Sequence, residues 1–183
     1  MRVISGTAGG RRLTEPRGSG IRPTSDMVKE SVFNIVQFDI EGRRVLDLFA
    51  GTGQIGIEAL SRGARSVVFV DSGAESVKLI SKNLELCGFS DAATVYNYDV
   101  VRYLEEKRHK ETFDLIFLDP PYDTHLAGEI LTKIIEFDKL NANGIIICET
   151  KAGSARPVVS PPYYFHKEYR YGGVNITRFG RGI

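Results

Sequence analysis

The sequence predicts an α/β fold: a mostly parallel, doubly wound sheet ending in an antiparallel hairpin, with an N-terminal extension in front. Three observations predict it. Five short apolar runs are too continuous for half-exposed strands and suit the buried strands of a parallel sheet. Segments with helical spacing separate those runs, so strand and helix alternate. Near the end, Gly172-Gly173 joins two strand-like segments as an antiparallel turn.

The elements follow in order. Residues 1–24 form the extension, where Gly6, Gly9, Gly10, Gly18 and Gly20 interrupt any periodicity. A short hairpin followed by an arginine-bearing loop that orders on binding is expected there. Residues 25–183 form the main domain. It opens with a helix over Ser25 to Phe38 that places Val28, Val32, Ile35 and Val36 on one face, with Thr24, Ser25 and Asp26 as capping groups. This helix is expected against the sheet edge or over the site. The strands are Val45–Phe49, Val67–Val70, Ala93–Tyr96, Leu115–Leu118 and Ile145–Cys148. Helices between them carry Ile55, Ala59 and Leu60, then Val77, Ile80 and Leu84, then Ile130, Ile134 and Ile135. Tyr163 to Tyr171 and Val174 to Phe179 make the closing hairpin.

A chain of 183 residues with 42% hydrophobic content buries one substantial core and is too short for two ordinary enzyme domains. No apolar run approaches the roughly 18 residues that span a bilayer, and the first residues lack an apolar signal segment. A cytoplasmic protein with no membrane partner is expected. Cys87 and Cys148 have neither CxxC spacing nor neighbouring histidines and read as buried free thiols. His109, His125 and His166 are scattered without ligand spacing, so no metal is expected.

The formal net charge of +1 conceals an uneven distribution. Residues 1–23 hold Arg2, Arg11, Arg12, Arg17 and Arg22 against Glu15, and residues 151–183 hold six basic residues against Glu168, so the ends carry +4 and +5. The stretch between them carries −8. Basic ends on an acidic body suit polyanion binding, although solvated arginines alone also produce such a pattern.

Asp47-Leu48-Phe49-Ala50-Gly51-Thr52-Gly53-Gln54-Ile55-Gly56 sets G-x-G-x-x-G between a strand and a helix, where the backbone can approach a ligand closely. A nicotinamide dinucleotide site would have the same glycines and an acidic residue such as Asp71 for the ribose, which makes a dehydrogenase the runner-up. Asp47 argues against it, because its carboxylate would face a pyrophosphate. It suits a ligand carrying ammonium and sulfonium charges, that is S-adenosylmethionine, with S-adenosylhomocysteine as product. The expected cofactor set is Asp47, Phe49, Ala50, Gly51, Thr52, Gly53, Asp71, Ser72, Asp99 and Val100. Residues 50–53 admit the methionine part, Asp71 takes the ribose diol, and Asp99 accepts from the adenine amine with Val100 beside the ring. For Asp99 alone, a helix N-cap is the structural alternative.

Asp119-Pro120-Pro121-Tyr122 follows the fourth strand at the carboxyl edge, where open α/β sheets bind ligands. An aromatic amine is a poor nucleophile because its lone pair is delocalised into the ring. Acceptors for both amine hydrogens favour the geometry that frees the pair. The Asp119 carboxylate and the Pro120 carbonyl supply two acceptors, Pro120 and Pro121 stiffen the loop and remove N–H donors, and Tyr122 offers a stacking face. A double-proline turn ending a buried strand is the purely structural alternative. By this chemistry adenine, cytosine, guanine and glutamine amino groups all remain open.

Arg22-Pro23-Thr24-Ser25-Asp26-Met27-Val28-Lys29-Glu30, the loop Asp47 to Gly56 with Glu58-Ala59-Leu60-Ser61-Arg62-Gly63-Ala64, Val70-Asp71, and Phe113 to Tyr122 together resemble the bacterial RsmD-type methyltransferases. The likeness includes the opening Arg2 to Gly6 and Gly10 to Leu13, and so spans nearly the whole chain. It implies a Rossmann-like class I methyltransferase fold that methylates the exocyclic N2 of one guanine in 16S rRNA. The implied partner is the small ribosomal subunit or its assembly intermediate, met by a monomer whose Arg11, Arg12, Arg22 and Thr24 contact RNA. Met27 and Lys29 stand where the family often has arginine. DNA amino-methylation, protein glutamine methylation and a non-catalytic RNA-binding module are the competing functions.

Overall fold

The computed structural model describes residues 1–16, 25–106, 110–121 and 125–183. Arg22, Thr24, His109 and Tyr122 lie outside the described residues. Seven strands form one sheet: β1 (Arg44–Leu48), β2 (Ser66–Asp71), β3 (Ala93–Asn97), β4 (Phe113–Leu118), β5 (Leu140–Lys151), β6 (Tyr163–Tyr171) and β7 (Val174–Arg181). Their spatial order is β3-β2-β1-β4-β5-β7-β6. The first five run parallel, and β7 is antiparallel to both β5 and β6. The expected mostly parallel sheet with a closing hairpin is therefore present.

Helices α1 (Asp26–Ile35), α2 (Gln54–Ser61) and α3 (Ala74–Cys87) lie on one face, and α4 (Val100–Glu105) and α5 (Leu126–Glu136) on the other. The strand order reverses between β2-β1 and β1-β4, so the carboxyl ends of β1, β2 and β4 surround the crevice in which doubly wound sheets bind ligands. Leu48 pairs with Val70 on one side and Leu118 on the other, which brings the glycine loop, Asp71 and Asp119 to one edge. Among the described residues no helix is long and apolar enough to cross a membrane. Both cysteines are buried and free, as expected.

Several bounds differ from the sequence expectation. β1 ends at Leu48, because Phe49 turns to φ +60°, where the ladder cannot continue. β5 extends from Leu140 to Lys151 because Leu140 pairs with Phe113 of β4 at its start and β7 pairs from Ile145 to Lys151. Helix α4 was not among the predicted helices, and it bears out the N-cap alternative raised for Asp99. It has only six residues, and its Val100, Tyr103 and Leu104 are all buried.

Helix α1 lies on the sheet face rather than at its edge: the Phe33 ring sits 5.6 Å from Phe117 of β4. Its buried surface is wider than the expected stripe and takes in Lys29 and Phe33. The cause is the N-terminal extension, whose Val3, Ala8 and Leu13 are buried in the same core as Val28, Val32 and Val36. Arg2 and Arg12 make an antiparallel bridge, so the short hairpin is present.

That hairpin is bonded to α2 through Glu58, which is fully buried. Its Oε2 accepts from the Ile4 amide at 2.7 Å and its Oε1 from the Ser5 amide at 3.0 Å. Arg62 Nε donates to Oε1 at 2.8 Å, and Lys29 Nζ lies 3.6 Å from Oε2 while donating to the Arg2 carbonyl. Gly6, at φ +84°, crosses Ser61 so closely that an added Cβ would stand 1.8 Å from the Ser61 carbonyl oxygen. No other residue fits there.

Candidate active site

The glycine loop is shaped by three left-handed residues, Phe49 (φ +60°), Gly51 (φ +55°) and Gly53 (φ +75°). Gly53 also lies against Ile80, 3.1 Å from where a Cβ would stand, so glycine serves both conformation and close approach. The turn closes with Gly53 N–H donating to the Ala50 carbonyl at 2.7 Å and Ala50 N–H to Val70 at 3.2 Å.

Two carboxylates hold this loop. Asp71, last residue of β2, accepts from Gly51 N–H through Oδ2 and from Gly73 N–H through Oδ1, both at 2.8 Å. Asp47 Oδ2 accepts from Gly56 N–H, in the first turn of α2, at 2.9 Å. Asp47 is buried, and that burial, with the nearby charges of Asp119 and Asp71, pushes its pKa up to about 7 despite the Gly56 bond. The three acidic groups thus repel one another at the ends of β1, β2 and β4.

Asp99 is the N-cap of α4, its Oδ1 accepting from Arg102 N–H at 3.1 Å. The side chain is exposed at the same edge, whereas Val100 is only 2% exposed and packs into the core on the α4/α5 side. Ser72 is exposed next to Asp71. Asp119 follows β4 directly and is half-buried, Pro120 is buried and Pro121 exposed. The fold therefore gathers Asp47, residues 49–53, Asp71, Ser72, Asp99 and Asp119 to Pro121 at one sheet edge. Arg11 and Arg12 lie apart on the exposed hairpin, with Arg11 donating to the Leu86 carbonyl at the end of α3. Among the described residues no group of three or more His, Cys, Asp or Glu is arranged to hold a metal ion.

The sequence reading missed Asn83. This fully buried side chain of α3 donates to the Thr52 carbonyl at 3.1 Å and the Thr14 carbonyl at 3.3 Å, and accepts from Thr14 N–H at 2.7 Å. It ties the extension to the glycine loop. Thr52 adds a hydroxyl bond to Met1 Sδ at 3.3 Å. A signal existed: Asn83 interrupts the apolar stripe Ile80, Leu84, Cys87, and a polar group there needs partners.

The arrangement suits the cofactor on chemical grounds. A cluster of carboxylates with one proton-hungry buried member is stabilised by a cationic ligand, and the left-handed glycines leave room for a backbone approach.

Comparison with known proteins agrees. The family described as Conserved hypothetical protein 95 matches residues 1–180. The protein named Ribosomal RNA small subunit methyltransferase D of Haemophilus influenzae is 36% identical over 162 residues, covering 88% of this chain and 83% of that one. The Escherichia coli protein of the same name is 30% identical over 99% of this chain and 90% of its own. The solved structure of yhhF from Escherichia coli superposes with a TM-score of 0.90 at 28% identity, covering 100% of this chain and 98% of that one.

Proposed function

Because the chain belongs to the RsmD-type family of S-adenosylmethionine-dependent methyltransferases, we propose that it methylates the exocyclic N2 of one guanine in 16S rRNA. The observation that carries the reading is the position of Asp119-Pro120 at the carboxyl end of β4, beside the loop held by Asp47 and Asp71. The bound cofactor supplies an electrophilic methyl group.

The chain's own residues supply binding and orientation. Asp71 and residues 50–53 form the cradle, and Asp47 with its acidic neighbours compensates the ligand's positive charge. Asp119 and the Pro120 carbonyl accept the two amine hydrogens, so the nitrogen lone pair is turned out of conjugation and towards the donor. Tyr122 stacks on the base, and Arg11, Arg12, Arg22 and Thr24 hold the RNA. The acceptor is the small subunit or its assembly intermediate, met by a monomer in the cytoplasm.

The test is methyl transfer from labelled S-adenosylmethionine to small subunits prepared from cells lacking the activity. Digestion to nucleosides is expected to return N2-methylguanosine. Label recovered as N6-methyladenosine, or in a nuclease-resistant protein fraction, would falsify the guanine assignment.

A further inference from the structure

Strand β6 is the free edge of the sheet, and its pairing with β7 sets Tyr164, Lys167, Tyr169 and Tyr171 opposite Gly180, Arg178, Ile176 and Val174. Those β7 residues alternate along the strand, so the four β6 side chains share one face, the face that carries α1. Tyr164 is 50% exposed and lies over Gly180, where any Cβ would stand 2.5 Å from the ring. Tyr169 and Tyr171 are near-parallel, with centroids 6.4 Å apart and planes at 11°. Lys167 Nζ sits 4.9 Å from the Tyr169 centroid.

Edge strands are protected by charge, proline and bulges, and an exposed Tyr164 with half-buried Tyr169 and Tyr171 on one face supplies none of these. Interleaved with cations in the segment that carries +5, they match a surface on which bases stack while phosphates meet lysine and arginine. The strip also leads to the site. β6 runs parallel to β4 and β5, so Tyr169 and Tyr171 stand level with Glu149 and Lys151, just beyond the Leu118–Cys148 pair that precedes Asp119. Three strand spacings separate β6 from β4, about 14 Å.

We propose that the Tyr164–Lys167–Tyr169–Tyr171 strip binds the unpaired RNA adjoining the nucleotide that enters the site. This rests on the RNA-methylation reading above. Bases stack on the exposed ring surface, led by Tyr164, while Lys151 and Lys167 on the same face meet phosphates and Arg170 reaches them from the opposite face of the edge strand.

The test uses small subunits lacking the methyl group, with Tyr164→Ala, Tyr169→Ala, Tyr169→Phe and Lys167→Met. Each Tyr→Ala change is expected to raise KM for subunits by about fivefold or more, leaving kcat and calorimetric S-adenosylmethionine affinity unchanged. Tyr169→Phe retains the parental KM because the ring face is kept. Lys167→Met lowers the salt slope of binding by about one. Parental KM in folded Tyr164→Ala and Tyr169→Ala proteins overturns the proposal. So does a parental dimer that these changes convert to monomer, which would assign the strip to a contact between copies of the chain. Failure of the parent itself to methylate subunits is a separate result and overturns the RNA reading on which the strip depends.

Discussion

The Asp47 carboxylate accepts a 2.9 Å hydrogen bond from the Gly56 amide, and this bond links the end of β1 to the first turn of α2 across the glycine loop. The same carboxylate is buried and repelled by Asp119 and Asp71, so that its pKa is pushed up to about 7. One residue therefore shapes the loop and stores an unfavourable charge that a cationic ligand relieves.

The raised pKa sets a pH dependence. Between the ordinary value of 3.8 and about 7 the folded chain holds a proton at Asp47 that the unfolded chain has lost, so the ligand-free protein loses stability as pH rises through that window. The loss is on the order of 4 kcal/mol. Asp47→Asn removes it, and thermal melts from pH 4 to 8 should show the variant gaining on the parent towards neutrality. S-adenosylmethionine should bind the parent more tightly as pH rises from 6 to 8, with proton release in calorimetry, whereas Asp47→Asn should show a flat profile.

Asp71 bonds the Gly51 and Gly73 amides with both oxygens. Asp71→Ala is expected to leave both donors unmet and to weaken S-adenosylmethionine by at least tenfold in calorimetry, with about 1–3 kcal/mol lost in urea unfolding. Asp71→Asn, which keeps one acceptor, should fall between the two.

Asn83 is the bridge between Thr14 and Thr52. In Asn83→Ala a buried amide and two carbonyls lose their partner, which should cost about 1–3 kcal/mol. Hydrogen exchange should then show faster opening at both Thr14 and the 50–53 loop. Exchange confined to one of the two would contradict the bridge.

Glu58 and Lys29 are both fully buried, and Glu58 also bonds the Ile4 and Ser5 amides. Glu58→Ala strands a buried ammonium and two amides, and is expected to cost about 3–5 kcal/mol. Lys29→Met should cost less, because Arg62 and the amides still satisfy the carboxylate. Chemical denaturation of the two variants gives the comparison.

Asp119→Ala should abolish methyl transfer, by more than about a hundredfold in kcat, while S-adenosylmethionine binding stays within a few fold of the parent. Equal loss of binding and turnover would instead place Asp119 in the cofactor cradle.

Much of the candidate site's arrangement was legible in the chain because its residues are local. Asp47 to Gly56 form one turn, Asp71 and Asp119 each end an apolar run, and a parallel sheet with alternating helices brings such ends together. The predicted closing hairpin rested likewise on one turn dipeptide. Helix α4 entered only as the N-cap alternative for Asp99, because six residues carry too little periodicity to predict a helix. The burial of Lys29, outside the predicted apolar face of α1, was not legible, because periodicity reports one helix's own stripe and is blind to a neighbour covering a second side.

By itself the sequence determined the strand–helix order, the acidic ends of three strands, the glycine loop and the separation of charge, all of which depend on residues close in the chain. Only the tertiary structure decided that the N-terminal hairpin is bonded to α2 through Glu58, that Asn83 ties it to the glycine loop, and that burial pushes the Asp47 pKa up to about 7. It alone aligned the β6 tyrosines with the site edge. Hydrogen bonds across more than fifty residues and the desolvation of a carboxylate depend on which elements meet, and that follows from how the whole core closes.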